Sequence, residues 1–482
     1  MARFPFRRAA LLALGALLTA GVALGAYSLL GKREVTTSSA EAYRLYKQGR
    51  ENELKMYWKD ALANYAEALS HDGHFVMATV QLAKYLRDRD PDRAKALMDG
   101  IQSFKESVSK REQLKIRLYE VMWREGEWSQ KEQEISALLD EYVRRYPDDP
   151  DAYFERAGFY MKGNRPKEAM AEFEKVLRFN PNYALAYNSL GYYNLAVGEY
   201  AKAEDYLKRY RFLAPDQANP YDSLGEFYAT VGRYDDAEES LKKALEIKPD
   251  FVASEAHLGT VAIGRGDVRA ASQHFTRAAE FADTPGMRTE FEWLAALVLS
   301  TGGLRDEALA QFGRMPVPKP SGAADPEDSK RAETRYLFQK AVLLARVGRA
   351  DESEKVLAAL ESLVAPRAGE KEPVKKYPER DLAAIRGLIA DARGQHEQAA
   401  RFLRDALPER LPMNGLGFYP SEPMIRSVIA KNLAAAGKKA EAEEVLRPVL
   451  LRNPNFAPAL AVATAQRLEV PAPSEAGSPA AR

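Results

Sequence analysis

The chain has 482 residues, of which 70 are basic and 69 acidic, giving a net charge of +1; 46% are hydrophobic, and cysteine is absent. Balanced charge excludes a broad basic field for nucleic acid or an acidic one for cationic partners. The missing thiol excludes disulfides, cysteine nucleophiles, cysteine-based zinc sites and an acylated lipoprotein cysteine.

Residues 1–8 form a stub carrying Arg3, Arg7 and Arg8, and an uncharged apolar run follows from Ala9 to Leu30. A helix over this run would be roughly 33 Å long at ~1.5 Å per residue, enough to cross the hydrocarbon core. The expectation is one N-terminal transmembrane helix over 9–30, with the arginines cytoplasmic. That makes the chain a single-pass protein of the cytoplasmic (inner) membrane with residues 40–482 in the periplasm. Ala23, Gly25 and Ala26 also suit a signal-peptide cut, which would leave a soluble periplasmic protein. A buried N-terminal helix is the third alternative.

Beyond the apolar run the sequence repeats. Tyr153, Tyr187 and Tyr221 are 34 residues apart, as are Leu190, Leu224 and Leu258. Gly191, Gly225 and Gly259 share the spacing, as do Gly198, Gly232 and Gly266, and Pro181, Pro215 and Pro249. Within a unit, Gly232, Ala237, Leu241, Ala244 and Pro249 follow one another at the same offsets as Gly437, Ala442, Leu446, Val449 and Pro454. The glycine can take positive φ and turn the chain. The alanine lets a second helix approach the first, and the next two positions continue its apolar face. The proline closes the hairpin.

This pattern resembles the tetratricopeptide repeat, whose helix-turn-helix units of about 34 residues stack into a superhelix. The resemblance implies an all-α solenoid of about ten hairpins between Ala40 and Arg467, sharpest in the units starting near Pro150, Ala184 and Ala218. A regular N-terminal array is expected over 40–285 and a less regular one over 286–468, followed by a disordered tail over 469–482. Three stretches interrupt the period: Arg314–Ala332, read as a flexible connection, Ala365–Pro378 and Pro408–Pro423.

A narrower resemblance rests on Val35-Thr36-Thr37-Ser38-Ser39 before the first hairpin and on Asn219-Pro220-Tyr221-Asp222-Ser223-Leu224-Gly225. Both look like the exported sensor regions of bacterial membrane Ser/Thr kinases and winged-helix regulators. The effector domain of that family has no counterpart in the eight residues before the apolar run.

Catalytic signatures are missing. No Walker A loop, G-x-S-x-G elbow or kinase catalytic loop occurs. His396-Glu397 lacks the second histidine of a zinc protease, and the pair His71/His74 reads as an inter-repeat turn. The chain is therefore expected to be non-enzymatic and to use no cofactor, metal or small-molecule substrate.

Tyr153, Tyr160, Tyr187, Tyr221 and Tyr228 occupy the positions that pack helices together. Phe154, Asn188, Tyr192, Asp222 and Glu226 fall on the opposite side of the first helix of each hairpin, which lines the concave groove of such superhelices. They are the candidate partner-binding residues, for a protein or peptide segment bearing basic and apolar side chains. The function implied is a protein–protein interaction scaffold or assembly factor at the outer face of the membrane. A sensor or regulatory subunit of a separate signalling enzyme is the alternative, and an envelope enzyme bearing the same repeats is the third.

Overall fold

The computed structural model describes residues 34–87, 89–124, 128–318, 326–365, 379–407 and 421–470. Among these the chain forms 23 α-helices and no strand, in two compact units, Met1–Pro147 and Asp148–Arg482.

The first unit contains α1 (Ala40–Leu54), α2 (Trp58–His71), α3 (Val76–Leu86), α4 (Pro91–Gly100), α5 (Lys110–Trp123) and α6 (Trp128–Arg145), paired as three hairpins. Side chains fix the helix starts: Ser39 caps α1, Asp90 caps α4, and Ser109 with Glu112 forms a capping box on α5. Such caps satisfy amide donors that have no intrahelical partner. Tyr65, Phe75, Met77, Ile101 and Ile116 fill the core. The segment before α1 is stitched to the turn after α2 and to the start of α5. The Thr36 amide and hydroxyl donate to Glu112 at 2.8 and 2.6 Å, and the Thr37 hydroxyl donates to Asp72 at 2.6 Å. Asp72 also accepts the His74 amide, so the His71–His74 turn is organised around a carboxylate.

The second unit begins with α7 (Pro150–Lys162), α8 (Pro166–Phe179), α9 (Ala184–Ala196), α10 (Tyr200–Leu213), α11 (Ala218–Thr230), α12 (Tyr234–Ile247), α13 (Val252–Arg265) and α14 (Val268–Phe281). It continues with α15 (Pro285–Thr301), α16 (Arg305–Phe312), α17 (Pro326–Arg346), α18 (Ala350–Val364), α19 (Glu379–Ala392), α20 (His396–Asp405), α21 (Ser421–Ala435) and α22 (Lys439–Arg452). The single helix α23 (Ala457–Gln466) follows. Each consecutive pair up to α22 packs as a hairpin. The expected turn glycines take left-handed φ, including Gly198 at 84°, Gly232 at 80° and Gly437 at 81°. In the hairpins α1–α2 and α7–α8, Met56 and Asn164 carry the positive φ instead.

Helix glycines at the crossings, among them Gly191 and Gly225, serve close approach. A Cβ at Gly225 would lie 2.5 Å from Leu241 Cγ and 3.3 Å from the Ala237 carbonyl. The tight contact is therefore with Leu241, one turn beyond the alanine expected from the spacing.

Two sequence expectations are corrected here. The connection expected over 314–332 is shorter, because α17 starts at Pro326, and proline is compatible with the first turn of a helix. Phe275, Phe291, Phe312, Leu343, Leu388 and Leu446 belong to one buried cluster that runs across both the 285/286 position and this connection. The expected membrane helix lies outside the described residues. Among the described residues no helix is long and apolar enough to cross a membrane. The expectation of a single-pass inner-membrane protein with a periplasmic array is therefore withdrawn.

The last hairpin returns to the middle of its own unit. Asn453 Nδ2 donates to the Ala229 carbonyl at 3.1 Å, Tyr234 Oη donates to Asn453 Oδ1 at 3.1 Å, and Asn455 Nδ2 donates to the Gly232 carbonyl at 3.0 Å. A side chain at Gly232 would collide with Asn453, its Cβ 2.4 Å from Oδ1.

Candidate partner-binding site

The five residues singled out in the sequence sit on α7, α9 and α11, the first helices of successive hairpins. Phe154 is half-buried between Phe173 and Tyr183, with ring centroids 5.6 and 5.1 Å away. Asn188 Oδ1 is buried and accepts no hydrogen bond among the described residues. The Tyr192 hydroxyl donates to Glu226 Oε2 at 2.6 Å. Asp222 and Glu226 differ from the expectation. They are 3% and 5% exposed, so neither presents its carboxylate to an open groove.

His257 on α13 explains their burial. Its Nδ1 lies 3.0 Å from Asp222 Oδ1 and its Nε2 lies 3.6 Å from Glu226 Oε2. Ser254 also donates to Asp222, at 2.8 Å. Burial alone would push the imidazole down. The two carboxylates outweigh it and hold the His257 pKa at about 9, so the ring is a cation between two anions near neutral pH. Burial and the Glu226 carboxylate push the Tyr192 phenol well above its ordinary value, and it remains a neutral donor. The sequence did mark this position. Ser189, Ser223 and His257 are equivalent in the 34-residue period, so an imidazole replaces a small hydroxyl.

A second feature lies farther along the same unit. The first helices α15, α17, α19 and α21 wall a cavity of about 500 Å³. Its lining is mainly apolar, with Trp293, Leu297, Phe338, Leu388, Ile425 and Val428 among the contributors, and Glu290 and Arg346 at its polar positions. Burial raises the Glu290 carboxyl above the usual range. Spacing within one repeat could not show this hollow, because four hairpins with three interrupted connections build it.

Tetratricopeptide-repeat family profiles match residues 136–184, 172–205 and 218–251. Over those residues the chain is similar to tetratricopeptide repeats. These repeats are generally non-catalytic protein-interaction scaffolds that bind protein or peptide partners. No curated protein sequence matches the chain. Solved structures similar to it include the Cut9–Hcn1 heterotetramer of the APC/C, at 16% identity and a TM-score of 0.46, covering 93% of this chain and 81% of that one. Yeast Tom70 is similar at 13% identity and a TM-score of 0.42, covering 83% and 96%. A tetratricopeptide repeat protein from Parabacteroides merdae is similar at 14% identity and a TM-score of 0.38, covering 53% and 91%. The matched segments carry Phe154, Asn188, Tyr192, Asp222 and Glu226 of the polar row, and the apolar hollow on α15–α21 lies beyond them.

Proposed function

We propose that this chain is a non-enzymatic interaction scaffold, an assembly factor, that seats an apolar segment of a partner protein in the hollow of α15, α17, α19 and α21. The cavity of about 500 Å³ carries this proposal. Pockets of about 300–1,000 Å³ with apolar walls and a few convergent polar groups are the usual form of a binding site. An amphipathic partner helix would place apolar side chains beside Trp293 and Val428, as helix-in-groove complexes do. Phe154, Asn188 and Tyr192 form a second contact, favoured by the unpartnered Asn188 oxygen, which suits a partner amide donor. Asp222 and Glu226 act here as internal ligands of His257 that hold the row in shape. The partner therefore needs no basic residue to face them. A regulatory subunit of a separate signalling enzyme would use the same hollow, and the identity of the bound protein separates the two roles.

Site-specific photo-crosslinking tests the proposal. A crosslinker at Ile425 or Val428 should trap a discrete partner, and Val428→Glu should abolish the adduct at Ile425 without unfolding the chain. A crosslinker at Glu354, on the exposed face of α18, is the control. Adducts from Glu354 alone, or full trapping by folded Val428→Glu, would overturn the hollow as the site.

A further inference from the structure

A different surface carries an independent proposal. An open cleft of about 920 Å³ lies between α8 and α10, over Tyr187 of α9. Leu177, Tyr187, Tyr206 and Phe212 give it an apolar and aromatic lining. Phe212 is 80% exposed, the highest value for any large hydrophobic side chain among the described residues. The 34-residue period places Arg178, Glu246 and Glu280 at the positions equivalent to Phe212. Three repeats thus use a charged surface residue where this one exposes a phenylalanine. Tyr206 likewise stands where the period gives Glu172, Ser240 and His274. Phe212 gives nothing to the core, and Tyr206 lays one half-buried face of its ring beside Tyr187. They create an aromatic patch on one repeat, and exposed patches of this kind mark interaction sites.

The charge around the patch specifies its partner. Lys202, Lys208 and Arg209 line the cleft against a single carboxylate, Asp205. Among the described residues Lys208 pairs with the largely buried Glu204 at 2.9 Å, and Lys202 makes an exposed pair with Glu199 at 3.2 Å. Exposed pairs of this type are weak and exchange readily for a better partner. The Arg209 guanidinium lies 5.8 Å from the Tyr187 ring centroid and has no carboxylate partner among the described residues. An arginine stacked on an aromatic floor beside a second exposed ring is the composition of an interface core.

We propose that the cleft between α8 and α10 docks an acidic protein segment carrying an aromatic or aliphatic anchor, with the anchor against Phe212 and Tyr206 and a carboxylate on Arg209. This is a separate site from the apolar hollow, so one scaffold can hold two partners.

The test is selection of a random peptide display library on the full chain, followed by titration of the synthetic consensus peptide by fluorescence anisotropy. The selected sequences should be net acidic with one recurring large apolar residue. Phe212→Ser and Arg209→Glu should each weaken the peptide by about tenfold or more at an unchanged melting temperature, because both side chains are exposed. Val428→Glu should leave the affinity as it is, which separates this site from the hollow. Neutral or basic consensus sequences would overturn the proposal, as would wild-type affinity in both cleft variants. It would also be overturned if the cleft variants lost binding to an oligouridylate probe while keeping the peptide.

Discussion

His257 is a cation buried between Asp222 and Glu226, and its protonation contributes to folding. Its pKa rises from an ordinary 6.5 to about 9 in the folded chain. A raised folded-state value means stabilisation that is complete below pH 6.5 and disappears as pH climbs through 9. The full effect is on the order of 3 kcal/mol. Denaturant titrations of the wild type should therefore give a lower midpoint at pH 9.5 than at pH 6. His257→Gln should flatten that difference, and a wild-type midpoint independent of pH would show the imidazole to be neutral. Gly225 offers a second check. Glycine to alanine inside a helix ordinarily gains up to about 1 kcal/mol. Here the Cβ meets Leu241 at 2.5 Å, so Gly225→Ala should instead lose about 1–3 kcal/mol by overpacking. Glu238 shows the limit of reading single residues. It follows the crossing Ala237 on α12, outside the apolar positions of the period, yet it accepts Lys242 at 2.6 Å and Arg265 at 2.5 Å, and these partners hold its carboxyl down to about 2. Arg265 comes from the next repeat, which helical spacing within one unit does not reveal.

At the scale of elements, the turn glycines, the closing prolines and the small residues at helix crossings were legible because each answers a local steric demand. Environment was not. Polar Asn219, Asp222, Ser223 and Glu226 give α11 the pattern of a half-solvated helix, but Ala218–Pro220 and Asp222–Ala229 are all buried. It packs against α10, α12 and α13, and the imidazole of α13 makes burial of the two carboxylates tolerable. Helices covered in this way open only with the whole unit. In hydrogen exchange the α11 amides should be among the slowest of the second unit, and those of the eight-residue α16 clearly faster. Equal protection would mean that α11 gains nothing from its burial. The long interruptions misled in the other direction. Prolines around 316–326 signal a break, whereas the buried cluster continues through α15 and α17, since connections leave helix stacking intact whenever the apolar faces still meet.

For the molecule as a whole, the contact of Asn453 and Asn455 with Ala229, Gly232 and Tyr234 changes how the second unit holds together. A repeat array is ordinarily a sum of nearest-neighbour terms and frays from its ends. Here hydrogen bonds join residues 219, 223 and 224 positions apart. Asn453→Ala removes the acceptor for the buried Tyr234 hydroxyl and one of the donors to the Ala229 carbonyl, a loss of about 1–3 kcal/mol. Limited proteolysis should then cut around α22 and α23 before the rest of the unit, and an unchanged cleavage pattern would show the contact to be incidental. The same bonds set a timetable for synthesis. The turn at Gly232 leaves the ribosome long before Asn453 exists, and at about 5–20 residues per second the gap is roughly 10–40 s. During that interval the hairpin of α11 and α12 stands with one side uncovered. Nascent chains stalled before residue 450 should be nicked near Gly232, where the released protein is resistant, so the segment around Asn453 acts as the latch that ends the vulnerable period.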